Sequence, residues 1–256
     1  MGIGGLPHSD PPRNRSLNEV GVVAALEAEA RTLGMAVLRS DGLRSLRGGS
    51  LLAVSGMGGA AAAKAARSLV QGGASALMSF GLAGGLDPGL SVGSVVLPRE
   101  VISGNGARFS TTEEWREPLH RALARQRPVV AGTLLTRSQP IGRIADKARA
   151  FYETGAVAVD MESFGIAEVA AEHRLPFVAV RVIVDTAADV LPRAVVAASR
   201  GDRVSLLRLA GGLAAAPLDV MALIRLARRY RVATRSLASL VRADLLAPLA
   251  AGVRVA

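Results

Sequence analysis

The sequence predicts an α/β protein, a single-domain three-layer sandwich around a central mixed, mostly parallel sheet. Three observations carry this. Short apolar runs alternate with segments of helical spacing, as strand–helix units do. "VGVVAA" (20–25) is continuously apolar, and "FVAVRVIVD" (177–185) is apolar but for Arg181 and its final Asp185, so both faces of the sheet should be covered. The chain has 256 residues, 50% of them hydrophobic. A chain of that size buries roughly 70–75% of its unfolded surface and needs no disulfide or structural metal.

In chain order, residues 1–18 carry Pro, Gly and Asn but no apolar segment. They read as a disordered leader rather than a secretory signal. "VGVVAA" is a strand, followed at once by Glu27 and Glu29. Residues 35–47 form a hairpin around "SDG", because Asp-Gly favours tight turns. "LLAVSG" (51–56) is a strand that runs through "GMGG" into the helix former "AAAAKAARSLV". "ASALMSFG" (74–81) is a strand followed by a glycine turn, "LAGGLDPGL". "VGSVVLP" (92–98) and "VVAGTLLT" (129–136) are strands, with a polar, irregular stretch over 99–128.

"IGRIADKARAFYETG" (141–155) has helical spacing and a glycine stop. "AVAVD" (156–160) is a strand, "SFGIAEVAAEH" (163–173) a helix and "FVAVRVIVD" a strand. Residues 203–246 read as one or two arginine-rich helices. We therefore expect a catalytic domain over 19–200 and a basic helical extension over 201–256, packed on or beside it. No window holds 18 clean apolar residues, so no membrane-spanning helix is expected and the cytoplasm is the default compartment.

Composition narrows the chemistry. The absence of cysteine excludes disulfides, Cys-ligated zinc and a thiol nucleophile. Scattered His8, His120 and His173 argue against a histidine metal site and a Ser-His-Asp triad. The net charge of +10 suggests nucleic acid or an anionic membrane. Aromatic content of 3% is poor for base stacking, so nucleic acid is the weaker partner.

The acids sit where strands end. In open α/β sheets, ligands bind beyond the carboxyl ends of strands. Glu29, Gly81–Gly85, Asp160 with Glu162, and Asp185 all follow strand candidates and can meet on one rim. Glu162 could accept two sugar hydroxyls, or could cap a helix N-terminus. Asp185 could be a desolvated proton donor, or again a cap. Arg181, inside an apolar run, needs a carboxylate partner. "SGMGGAAAAK" (55–64) has a dinucleotide-like turn, but no acid lies between Gly59 and Asp87, where a nicotinamide site wants one for the ribose.

Taken together, "GVVAALEAEA", "SGMGGAAAAKAA", "FGLAGGLDPGLSVGSVVLP", "VDMES" and "VRVIVDTAAD" resemble the purine nucleoside phosphorylase and nucleosidase superfamily. The methylthioadenosine/S-adenosylhomocysteine nucleosidase branch is the nearer likeness. The resemblance implies that Glu29 activates the attacking water and that Asp185 protonates the purine N7, with Arg181 supporting it. It implies that Met161 and Glu162 flank the ribose, and that Ala83, Gly84 and Gly85 line the ribose and nucleophile side. It implies a homo-oligomer and no metal or other cofactor.

The chain departs from the nucleosidase pattern at Leu82 and Val184, where serines are usual. "RSQPI" (137–141) lacks an aromatic to stack on adenine. No arginine lies between Arg67 and Arg99, which disfavours phosphate as nucleophile and favours water. The tail resembles hopanoid-associated members, linked to removing adenine from adenosylhopane. That implies a lipid-linked purine nucleoside as partner, with peripheral membrane contact through the basic C-terminal helix. Phosphorolysis of the same bond and a catalytically silent nucleoside binder at the membrane are the alternatives.

Overall fold

The computed structural model describes residues 19–192, 195–196 and 219–241. The expected leader and the domain boundary near residue 200 lie outside them. Among the described residues twelve strands form one mixed sheet, and six of its eleven strand pairings are parallel. The strands are β1 (Val20–Ala24), β2 (Ala36–Leu38), β3 (Arg44–Leu46), β4 (Leu51–Val54), β5 (Ala76–Gly85) and β6 (Val95–Val96). After these come β7 (Glu100–Ser103), β8 (Arg108–Ser110), β9 (Val129–Val130), β10 (Thr133–Thr136), β11 (Ala156–Asp160) and β12 (Phe177–Asp185). The helices are α1 (Glu27–Ala30), α2 (Gly59–Gln71), α3 (Glu113–Ala124), α4 (Ile144–Thr154), α5 (Ser163–Glu172) and α6 (Asp219–Val241).

The layers follow from which side chains each strand turns to each face. Val22, Met78, Phe80, Val178 and Val180 face α3 and α6. Leu77, Ala179 and Ile183, with Ala62, Ala66, Leu69, Ile166 and Val169 on α2 and α5, fill the other side. The helices α2 and α5 meet closely, because a Cβ on Gly165 would lie 2.4 Å from the Gly59 carbonyl oxygen. A third apolar cluster lies under α4.

Strand β5 organises the centre. Its first half runs parallel between β1 and β12, and its last residues pair antiparallel with β11 through Gly84–Val159 and Gly85–Ala158. The carboxyl ends of β1, β5, β11 and β12 therefore lie side by side. The first residues of the expected turn, 82–85, are strand instead. Glycine there does not break the strand; at Gly81 it leaves room for buried charged groups.

Two further stretches differ from expectation. Residues 99–128 contain β7, β8 and α3, in which Trp115, Leu119 and Leu123 are fully buried. Their helical spacing is masked by charged neighbours and by Pro118 inside the helix, a residue that disfavours helix interiors. Residues 129–136 split into β9 and β10 at Gly132. Helix α6 forms part of the core, with Ala233, Leu237 and Leu240 fully buried. Its Ser236 hydroxyl donates to the Gly93 carbonyl at 2.8 Å. Among the described residues no helix is long and apolar enough to cross a membrane.

Candidate active site

At the shared rim lies a cavity of about 250 Å³. Four carboxyl side chains stand in its walls, Glu29, Asp160, Glu162 and Asp185, and among the described residues no lysine or arginine does. Each acid reaches it from a different piece of backbone. Glu29 sits in the short helix after β1, Asp160 ends β11, Glu162 precedes α5 and Asp185 ends β12.

Glu29 is buried and held by backbone amides. Its Oε2 accepts from Ala25 N at 3.1 Å and Leu26 N at 2.9 Å, and its Oε1 accepts from Leu82 N at 2.9 Å. A carboxylate has about four acceptor sites, so Oε1 keeps one for a ligand or water. Burial pushes its pKa up, and the Arg181 charge and these amides pull it partly back.

Asp160 and Arg181 form a buried pair, with Arg181 Nη2 2.7 Å from Asp160 Oδ2. Arg181 Nη2 also donates to Ser79 Oγ at 2.6 Å and Ser163 Oγ at 2.9 Å. Asp160 accepts from Thr136 Oγ1 at 2.6 Å and Ser163 N at 3.1 Å. Three of its acceptor sites are taken by structural partners, its charge is paired with Arg181, and it caps the first turn of α5.

Glu162, in contrast, makes no side-chain cap for α5. Its Oε1 accepts from Gly58 N at 3.0 Å and its Oε2 from Met161 N at 3.3 Å. Each oxygen keeps a free acceptor site facing the cavity. Burial, and then the neighbouring Asp160 charge, pushes its pKa up to about 7, against the pull of Arg181.

Asp185 meets Lys147, a fully buried lysine reaching in from α4. The Lys147 Nζ donates to Asp185 Oδ2 and, at 2.7 Å, to the Thr186 carbonyl. Burial pushes the Asp185 pKa up, and the Lys147 ammonium opposes this. The lining also includes the apolar Leu82, Val184, Leu191 and Leu226, and Tyr230 of α6.

Comparison with known proteins can be placed on this geometry. The family model described as "Phosphorylase superfamily" matches residues 45–209. The chain belongs to the phosphorylase superfamily. Solved structures agree in fold. The 5′-methylthioadenosine/S-adenosylhomocysteine nucleosidase of Neisseria meningitidis, in complex with methylthio-immucillin-A, superposes with a TM-score of 0.67 at 22% identity, over 89% of this chain and 98% of that one. The corresponding Campylobacter jejuni nucleosidase gives 0.67 at 16% identity, over 89% and 97%. A Helicobacter pylori futalosine hydrolase mutant gives 0.57 at 16% identity, over 65% and 89%. No curated protein matches the sequence.

In this phosphorylase-superfamily chain, Glu29, Ala83, Gly84, Met161, Glu162 and Asp185 all line the one cavity. Gly85 is not among its lining residues; it pairs with Ala158 of β11. Arg181 requires a correction. Expected beside Asp185, it is buried behind the cavity and pairs with Asp160, because side chains four apart on β12 reach different neighbours. Lys147 takes the place beside Asp185. Sequence reading missed Lys147, Tyr230 and Leu226. One signal was available for Lys147: of 31 basic residues only Lys64 and Lys147 are lysine.

Two predictions arise here. A Cβ on Gly81 would lie 2.6 Å from Arg181 Nη1 and 2.7 Å from Glu29 Oε1. Both side chains are held by several hydrogen bonds, so Gly81→Ala should cost about 1–3 kcal/mol, read as a lowered Tm. A Tm equal to that of the wild type contradicts this packing.

The second concerns pH. The folded-state pKa of Glu162 is raised above its ordinary value of 4.5 to about 7, so the folded state binds the proton more tightly. Its contribution is fully present below about 4.5 and is lost as pH rises through 7. The fall in Tm between pH 5 and pH 8 should therefore be shallower in Glu162→Gln. An equal slope in both proteins contradicts the raised pKa.

Proposed function

We propose that the protein cleaves the N-glycosidic bond of a purine nucleoside, most specifically an adenine nucleoside, with water as nucleophile. One observation carries the reading: among the described residues, four carboxyl side chains and no cationic one line a small cavity. Breaking an N-glycosidic bond builds positive charge on the sugar, and carboxylates stabilise it. The same carboxylates repel phosphate, which needs cations to hold it.

The acids divide the work by what the backbone leaves free. Glu29 keeps one acceptor site on Oε1 and takes the proton of the attacking water. Glu162, ionised, accepts the ribose hydroxyls. Asp185 delivers a proton to the purine N7, so the base leaves neutral. Asp160, its charge paired with Arg181 and its oxygens bound by Thr136 and Ser163, holds the frame. The names of the solved neighbours, which are nucleosidases and a hydrolase, support water over phosphate.

The test is product analysis with and without phosphate. Free adenine and ribose product should form at equal rates in both. Adenine release that requires phosphate, with a sugar 1-phosphate as product, makes the protein a phosphorylase instead.

The finer substrate we infer is lipid-linked, of the adenosylhopane type. The apolar lining residues Leu82, Val184, Leu191 and Leu226 support it. So does the outer face of α6, where Arg225, Arg228, Arg231 and Arg235 are exposed beside Ile224 (43% exposed) and Val232 (48%). Such a face suits an anionic lipid surface. The inner face of α6 is core, so charge reversal tests this better than deletion. Anionic vesicles should sediment the wild type and not Arg225→Glu/Arg228→Glu/Arg231→Glu. Equal sedimentation of both rules out this face as the contact.

A further inference from the structure

Asp185 ends β12 at an irregularity. The register of β12 against β5 shifts between Ile183 and Asp185, and a bulge of this kind re-aims the side chain beside it. The next residues close a tight turn. Asp189 N donates to the Thr186 carbonyl at 3.1 Å, and Asp189 Oδ2 accepts from Thr186 N and Thr186 Oγ1, both at 2.8 Å. The other oxygen of Asp189, Oδ1, meets Arg229 Nη1 of α6 at 2.5 Å. Burial works against a charge on Asp189, but Thr186 and Arg229 outweigh it and hold the carboxyl below its ordinary range. Neither Asp189 nor Arg229 has a part in the reaction above.

We propose that Asp189 and Arg229 are the positioning pair of the acid: Asp189 closes the turn that holds the Asp185 carboxyl in the cavity wall, and Arg229 ties that turn to α6. The proposal rests on the reading of Asp185 as proton donor. The placement of Arg229 on α6 fits it. Between 224 and 232, Leu226, Arg229 and Tyr230 are half-buried and the other residues are exposed. Spacings of three and four put these side chains on one face of the helix. Leu226 and Tyr230 line the cavity, so the helix that supplies this part of its lining is fastened to the acid's own turn. Farther along, Leu191 N donates to the Gly142 carbonyl at 2.9 Å, and Leu191 lines the cavity too.

The pair also sets the field in which Asp185 holds its proton. Burial acts most strongly on this carboxyl and pushes it up, and Lys147 of α4, in direct contact, opposes that. Asp189 and Arg229 then act in opposite senses: the carboxylate favours the protonated acid and the guanidinium disfavours it. The other ionisable groups of the cavity are Glu29, Asp160 and Glu162, with Tyr230 on α6. They are common to every variant below.

The experiment is a pH–rate profile of adenine release by wild type, Asp189→Asn, Arg229→Met, Arg229→Lys and the double variant Asp189→Asn/Arg229→Met, with Asp185→Asn as reference. The substrate is the 5′-substituted adenosine that wild type cleaves fastest. The alkaline limb reports loss of the Asp185 proton. Asparagine at 189 keeps an oxygen for Thr186 but removes the negative charge and leaves Arg229 unpaired. Asp185 then gives up its proton more readily, so the limb should move to lower pH by about half a unit. Methionine at 229 leaves the Asp189 charge unpaired, so the limb should move to higher pH by a similar amount. The double variant should lie between the two, and Arg229→Lys, which keeps the charge, should stay with the wild type.

Both single variants break the same ion pair. A merely structural tie would therefore move both limbs the same way or leave both in place, and either result overturns the proposal. If Asp189→Asn does not fold, Arg229→Met against Arg229→Lys decides: equal limbs in these two overturn it. Inactive Asp185→Asn together with unshifted limbs leaves Asp185 as the acid and removes only the pair from the mechanism. Near-normal Asp185→Asn, or no adenine from any substrate, removes the reading of the acid and the proposal with it.

Discussion

Asp185→Asn should lower kcat by about 10²–10⁴-fold, the usual worth of general acid catalysis, with the fold intact. The amide has the shape of the acid, and its oxygen can still accept from Lys147. What it lacks is a proton to give. The expected loss lies in kcat rather than KM, because N7 gains its electron density as the bond breaks and the proton matters most in the transition state. The cause of the raised pKa supports this assignment. The side chain ends an apolar strand and loses solvent, so its neutral, proton-bearing form is favoured. Purified Asp185→Asn with wild-type kcat removes this residue as the acid.

Glu29→Gln should lower kcat by about 10²–10³-fold, and the argument differs because the side chain is also a structural acceptor. Three backbone amides, those of Ala25, Leu26 and Leu82, point at its two oxygens. Glutamine offers one oxygen and turns an NH₂ group toward at least one of those amides. An unpaired buried donor costs about 1–3 kcal/mol, so the Tm should fall as well. The two effects separate when kcat is measured on protein confirmed as folded by circular dichroism. A fall in Tm with unchanged kcat would make Glu29 a structural acceptor only.

Much of this was readable in the sequence, and the parts that were not have physical reasons. Strands β1, β4, β11 and β12 announce themselves because they are buried on both faces and, apart from Arg181 and the terminal Asp160 and Asp185, apolar throughout. The acids at their ends are legible because a parallel arrangement puts strand ends on one rim. The glycines of 81–85 mislead, since glycine marks both turns and close approaches. Here it marks an approach, with Arg181 and Glu29 packed against Gly81. Helix α3 is hidden by its charged face and Pro118.

Partner choice among charges is the least legible feature. The sequence shows that Arg181 needs a carboxylate, but Asp160 and Asp185 satisfy that rule equally until β11 and β12 are placed. Lys147 is 38 residues from Asp185, and no local pattern links them. Likewise the buried face of α6, with Ala233, Leu237 and Leu240, and the arrival of Leu226 and Tyr230 in the cavity wall depend on how the helix crosses the sheet.

Adenine release is the most direct test of the central claim, that these carboxyls act together on a purine nucleoside. Purified protein is incubated with adenosines that differ at the 5′ carbon, from hydroxyl through methylthio to a long alkyl chain, and free adenine is quantified. The account predicts adenine from at least one of them, and at most about 1% of that rate from Asp185→Asn. Tight binding of these nucleosides with no adenine formed, or equal release by wild type and Asp185→Asn, would contradict it.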